Sequence, residues 1–372
     1  MSRNRIIYQS EALFVSNDAS STGVIDHEQL ERVQSANYSF SISRQDINQY
    51  GQLSRIDSLT LEAPTVSLDF SYYLAEGFNE ESLGFAASND FSVGFASGHM
   101  TATSGKNLFI LTSPEGVDAK DNVAAGNSVI GVGNAYLTDY TVDASVGSIP
   151  TISVTMEAAN VNADSNLGFD ANSSSFTGVS TPAIKQADGT KIISEVALPE
   201  VTTGESAITA LRPGDVEISF GSSTGTDARG PIANITDGAD GSHVQSASLS
   251  LAMSRSPLER LGTKFPFART VDFPVNATMS VSAIVNESTE ANLVDIVNAQ
   301  GGFDIQLTFK DTQGNPRASY LLKNAKLDSE SFSSSIGSNK TVDLEFSTQI
   351  GGPEDTVNNV LFSGSNTVTP FS

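Results

Sequence analysis

Three histidines, His27, His99 and His243, and a large store of carboxylates are what this sequence offers for acid–base or metal chemistry. Cysteine is absent, which excludes thiol nucleophiles, disulfide frameworks and Cys-based zinc or iron–sulfur sites. The histidines stand far apart, none at metal-ligand spacing from another. Their Gly, Ser or Asp surroundings read as solvent-exposed loops. No G-x-S-x-G elbow and no Walker-type phosphate loop occurs. Paired carboxylates for glycoside hydrolysis are a matter of spatial geometry, and there is no Trp to build a sugar platform. In the run NITDGADGSH, Asp237 and Asp240 sit among glycines and offer oxygen ligands for calcium, but the EF-hand spacing is missing. Asp and Gly serve turn geometry there without any ion. These residues predict no enzyme, no cofactor and no resident metal.

The charge excludes a further class. Against 20 Lys and Arg stand 43 Asp and Glu, a formal charge of -23, so the chain does not bind nucleic acid by neutralising phosphates. At 372 residues and 38% hydrophobic, it is long enough for two domains with a core in each. No window approaches the roughly 18 continuous apolar residues of a membrane span, and polar Gln9, Ser10 and Glu11 cut short any signal-like run. A soluble, cytoplasmically made protein is expected. With 30 Gly, 13 Pro, many Ser, Thr, Asn and Asp, and few stretches of helical period, the fold class is all-β with minor α.

The elements are organised by a repeat. VQSANYSFSISRQDINQYG from Val33 matches VQSASLSLAMSRSPLERLG from Val244 at a constant offset of 211 (244 minus 33), with eight of nineteen positions identical. Tyr38, Phe40 and Ile42 correspond to Leu249, Leu251 and Met253, alternating with small polar residues as in half-buried strands. A one-residue slip then sets Leu61–Pro64 over Val271–Pro274. The first register returns where Leu68 and Phe70 meet Met279 and Val281. Further on, Asn134-Ala-Tyr-Leu137 lies over Asn324-Ala-Lys-Leu327 at an offset of 190 (324 minus 134). Copy one therefore carries 21 extra residues (211 minus 190), expected as a loop in the region 98–127.

The expected organisation is a β domain over 1–158, a polar and partly structured connector over 159–213, and a second, related β domain over 214–372. Each is a sandwich or half-barrel with a short flanking helix. Opening strands are expected near Arg5 to Val15, with Ile6, Tyr8, Ala12 and Phe14 inward, and near Val216, Ile218 and Phe220. The helices are expected from Asn79 and from Ser288 to Gly301. In the connector, Ile192, Ile193, Val196 and Leu198 suit a strand.

In the Ser-rich strand Tyr38 to Ser43, the loop-arm Arg44 to Arg55, the returning strand Val66 to Leu74, the short helix and the Asn-Ala-x-Leu strand, the chain resembles the tail tube proteins of long-tailed bacteriophages. It is similar to the type in which two tube domains are fused. The resemblance implies a structural virion protein, assembled in the host cytoplasm, whose sheets line a ring. Three chains would make a pseudo-sixfold ring, and rings would stack into a hollow tube. It implies partners too: further copies of the chain, and the tape measure, terminator and baseplate proteins. Viral DNA would pass through the lumen without specific binding, and no membrane is involved. The arms would make contacts between subunits and rings, with Arg44, Asp46, Tyr50 and Arg55 in copy one and Arg255, Glu259, Arg260, Lys264 and Arg269 in copy two as candidates. A lumen lined by carboxylates would repel DNA. Three other readings stay open: a terminator or baseplate hub ring built from the same domain, a two-domain β-sandwich adhesin or receptor-binding module, and a carboxylate-based hydrolase, which turnover on polysaccharides would reveal.

Overall fold

A computed structural model describes residues 11–16, 27–86, 93–185, 189–203, 211, 216–222, 243–263, 265–284, 302–335 and 339–364. The expected helix at 288–301, Lys264, and the calcium candidates Asp237 and Asp240 lie outside these residues. What is described is nearly all strand, with two short helices.

The first half holds β1 (Glu11–Ser16), β2 (His27–Leu30), β3 (Val33–Ser41), β4 (Arg44–Ile47), β5 (Asp57–Thr60), β6 (Thr65–Tyr73), α1 (Phe78–Leu83), α2 (Ser97–Thr101), β7 (Lys106–Thr112), β8 (Asn127–Ser145) and β9 (Thr151–Ala158). In β6 the sequence TVSLDFSYY buries Val66, Leu68, Phe70 and Tyr72 and turns the intervening polar residues outward, the period-2 pattern of a strand with one covered face. β3, β6, β9 and the second half of β8 pair in that order, all antiparallel.

The second half repeats that order. β14 (Val216–Ser222), β15 (His243–Ala252), β16 (Arg255–Leu258), β17 (Ala268–Val271), β18 (Val275–Ile284), β19 (Phe303–Lys310), β20 (Pro316–Ser333), β21 (Thr341–Ile350) and β22 (Val360–Gly364) follow in sequence. β15, β18, β21 and the second half of β20 form the matching sheet.

The Asn-Ala-x-Leu motif has a structural cause. Asn134 and Asn324 take left-handed backbone angles, φ 55 and φ 51, inside the long strands β8 and β20. Their backbone N–H groups donate to the side chains of Asn107 and Asp304 respectively. At this kink each strand leaves one sheet for another. The first half of β8 pairs with β7 and with β10 (Asn160–Leu167), and the first half of β20 pairs with β19 and β22. β1 and β14 flank β7 and β19 in turn.

The pairing also corrects several expectations. Arg44 opposes Thr60 as Arg255 opposes Val271, so the offset of 211 holds through both hairpins and no slip occurs. The prolines that suggested one lie outside the paired strands. The extra residues of copy one are no single loop. β7, a buried strand, crosses the region, and its pairing with β8 matches that of β19 with β20 at an offset of 197 (305 minus 108). The surplus is thus split into 14 residues before β7 (211 minus 197) and 7 after it (197 minus 190), and the first part holds α2.

One hydrophobic core runs through both copies, from Leu13 and Val66 to Tyr320 and Phe362, where separate cores were expected. The connector builds a layer of its own. β11 (Phe169–Asp170), β12 (Ser175–Ser180) and β13 (Glu195–Pro199) form a three-stranded sheet whose Phe176, Val179 and Leu198 pack on Ala12, Phe14, Phe109 and Leu111. β1 is consequently buried on both faces, with Leu13 and Val15 in the large core and Ala12 and Phe14 in the small one. The expected strand position Ile193 is exposed, because β13 begins two residues later.

Candidate functional site

The two four-stranded sheets meet edge to edge. The second half of β8 pairs antiparallel with β15, setting Val142 opposite Leu249, Thr141 opposite Ser250 and Tyr140 opposite Leu251. Main-chain bonds from Val146 to Gln245 and from Met253 to Thr138 close its ends. The result is a continuous eight-stranded sheet, β3-β6-β9-β8-β15-β18-β21-β20. Leu249, Leu251 and Met253 are at most 1% exposed in this joint.

At the two ends of that sheet the same elements have a strand on one side only among the described residues. β3, the counterpart of β15, pairs only with β6, and the second half of β20, the counterpart of β8, pairs only with β21. Tyr38, Phe40 and Ile42, which correspond to the buried Leu249, Leu251 and Met253, are 42%, 59% and 40% exposed. At the other end Phe332, the counterpart of Val142, is 43% exposed. Fully burying an aromatic or aliphatic side chain of this size is worth about 1.5–3 kcal/mol. β3 also carries no Lys or Pro to protect its open edge.

One face of the eight-stranded sheet is polar over most of its extent. Ser67 and Asp69, Ser153 and Thr155, Asp139 and Asp143, Ser248 and Ser250, Ser280 and Ser282, Asp343 and Glu345 alternate with the core residues of their strands. Hydroxyls hold several of the carboxylates across strands. Thr155 donates to Asp69 (2.8 Å), Ser248 to Asp143 (2.6 Å) and Ser329 to Glu345 (2.9 Å). The face is dished, with a trough of about 470 Å³ between Asp143, Ser246, Ser280 and Asp343.

The arms are the hairpins β4–β5 and β16–β17. In arm one, Arg44 is exposed, and Asp46 pairs with Arg55 at 3.0 Å within the hairpin itself. Tyr50 stands fully exposed at the tip, next to Gly51 (φ 93). Leu261 beside Gly262 (φ 90) takes the same place in arm two, where sequence reasoning had not marked it. In arm two, Glu259 and Arg260 are exposed, and the Arg260 guanidinium lies 5.6 Å from the Phe267 ring.

Arg255 and Arg269 are bound to their own chain. Arg255 donates to the carbonyls of His99 and Arg269 and stacks over Tyr136 at 4.8 Å, while Arg269 pairs with Glu157. These contacts fasten arm two to copy one.

None of the histidines lies in a loop, and neither His27 nor His99 is exposed. His99 is buried in α2 against Phe85 (4.5 Å), and burial, with Lys106 and Arg255 nearby, pushes its imidazole down to about 3, so it stays neutral. His27 lies in β2 beside the ring of Phe109 at 5.3 Å. His243 begins β15. Among the described residues no group of three His, Asp or Glu side chains is arranged to hold a metal.

Sequence reasoning also missed a buried carboxyl. Glu80 of α1 accepts from Tyr72 (2.7 Å) and Tyr140 (3.0 Å), and the Tyr140 hydroxyl is 2.8 Å from that of Tyr320 in copy two. Burial raises Glu80 to about 7, opposed by the Tyr72 hydrogen bond. In the sequence Glu80 carries only the signal of an acidic residue in a first helical turn.

No family model and no curated protein matches the chain. Among solved structures it is similar to a chain of the anti-feeding prophage baseplate, solved by electron cryomicroscopy with six-fold symmetry. The identity is 13% and the TM-score 0.25, over 41% of this chain and 94% of that one.

Proposed function

We propose that this chain is the structural subunit of a bacteriophage tail tube, in which three chains close a pseudo-sixfold ring and rings stack through their arms. The observation that carries this reading is the edge-to-edge joint of β8 with β15, together with the matching open edges at both ends of the sheet. Two different edges make a head-to-tail contact, and such contacts generate closed rings or open helices. The polar, dished face then lines the lumen. Its carboxylates repel phosphates, and its hydroxyls offer a passing duplex no cationic contact, so DNA slides without being bound. The exposed tips at Tyr50 and Leu261 reach the neighbouring ring. Tape measure, terminator and baseplate proteins are the partners at the ends of such a tube, and the virion is its destination.

Electron microscopy in negative stain, with light scattering for mass, tests the reading on the purified chain. Hollow filaments, or rings of three chains, are the expected result. Rings that never stack would make the protein a terminator or baseplate hub ring instead. A monomer at high concentration would overturn assembly by the chain alone and favour the two-domain binding module.

A further inference from the structure

We infer that β3 of one chain adds to the second half of β20 of the next, in the register that β15 already keeps with β8. This rests on the ring reading above and specifies its contact residue by residue. β15 maps to β3 by the offset of 211, and β8 maps to β20 by 190, both fixed by the strand pairing as well as by sequence. Leu249 opposite Val142 becomes Tyr38 opposite Phe332 of the neighbour, and Ser250 opposite Thr141 becomes Ser39 opposite Ser331. Asn37 faces Ser333 where Ser248 faces Asp143.

Three observations support this pairing over a neighbouring register. A shift of one residue would turn Tyr38 and Phe40 onto the polar face, since side chains alternate along a strand. A shift of two would set Tyr38 opposite Glu330 in one direction and, in the other, would put Phe40 in its place beside Phe332, in either case out of step with the Leu249–Val142 pairing of the internal joint. Both donor strands carry the same irregularity, a register break between Val33 and Ser35 and between Val244 and Ser246, so the edges presented have the same shape.

The absence of cysteine makes the test direct. In the internal joint, Met253 donates its main-chain N–H to the carbonyl of Thr138 opposite it and Val146 donates to Gln245, so by alternation the pair Ser250 and Thr141 is of the non-bonded, closely spaced kind. Its counterpart, Ser39 with Ser331, has the spacing a disulfide needs, whereas pairs displaced by two residues do not. Both serines are exposed, so the substitutions leave the fold intact.

Rings of S39C/S331C are oxidised mildly and run on a non-reducing gel beside S39C/S329C, S39C/S333C and the single-cysteine chains. The in-register pair should give covalent dimers and trimers at least about tenfold more than either displaced pair. Well-formed rings that cross-link best in a displaced pair, or in none, would overturn the register and leave the ring standing. A parent chain that forms no rings by light scattering would overturn both.

Discussion

β3 with arm one and β15 with arm two are the same stretch of structure in two settings. They share the offset of 211, the bulge, the hairpin length and a left-handed glycine after an exposed tip residue. β15 is seated on β8, and its arm is fastened by Arg255 on Tyr136 and Arg269 on Glu157. β3 has no second strand beside it among the described residues, and the residues that correspond differ. Arg44 has Lys326 at the place of Tyr136, Ser58 replaces Arg269, and Ser347 replaces Glu157. Burial therefore follows the partner more than the residue type. Tyr38 and Phe40 are larger than Leu249 and Leu251, yet they are the exposed pair.

The sharpest break of this comparison places a charge at equivalent positions. Leu251→Asp buries a carboxylate opposite Tyr140 in the intrachain joint and should cost more than about 4 kcal/mol, enough to unfold a marginal protein. Phe40→Asp puts the same group on an open edge and should change monomer stability by less than about 0.5 kcal/mol. It should nevertheless abolish rings. Urea unfolding and light scattering on both variants decide the matter, and equal losses of stability would show that β3 is already covered within the monomer.

A second difference lies under the joint. Tyr140, which links Glu80 to Tyr320, has Glu330 as its counterpart in copy two, and Tyr72 has Ala283, so among the described residues the tyrosine pair around a carboxyl belongs to copy one. Glu80 is raised from 4.5 to about 7, so folding takes up a proton between those values. The group favours the folded state fully below about pH 4.5, and that contribution is lost as pH rises through about 7. The shift corresponds to about 3 kcal/mol. Glu80→Gln keeps a neutral acceptor for Tyr72. It should unfold at higher urea than the parent at pH 8 and converge with it near pH 5. Parallel curves for the two proteins would mean that Glu80 is solvated.

Much of this architecture was legible because a repeat and a period of two are written in residue types. The pattern of Val66, Leu68, Phe70 and Tyr72, the motif at Asn134 and Asn324, and the match of β3 to β15 are all visible without coordinates. What stayed hidden was context. The continuous apolar run Leu108–Leu111 reads as part of an inserted loop until β1, the connector sheet and the core are seen on its two sides. Sequence could mark Arg255 and Arg269 as arm cations, but long side chains reach whichever carbonyl, ring or carboxylate the tertiary fold brings near, and here those belong to the same chain. The open edges were invisible for a related reason: an alternating strand looks the same whether its edge is paired or free.

The finest change would make the two settings alike. In arm two the guanidinium of Arg255 rests on Tyr136, so Lys326→Tyr offers Arg44 of the adjacent chain an equivalent ring. A cation–π contact at a partly exposed site is worth about 0.5–1 kcal/mol, a two- to fivefold slowing of local opening. Amide exchange in residues 44–60 should therefore slow by that factor in assembled rings and stay unchanged in the monomer, because the new ring and Arg44 meet only across the subunit joint. Arg255→Ala supplies the opposite control, freeing residues 255–271 in monomer and ring alike. If Lys326→Tyr slowed exchange of arm one in the monomer, the contact would lie within one chain. If it changed neither state, the arm would leave the joint by a different path from that of arm two.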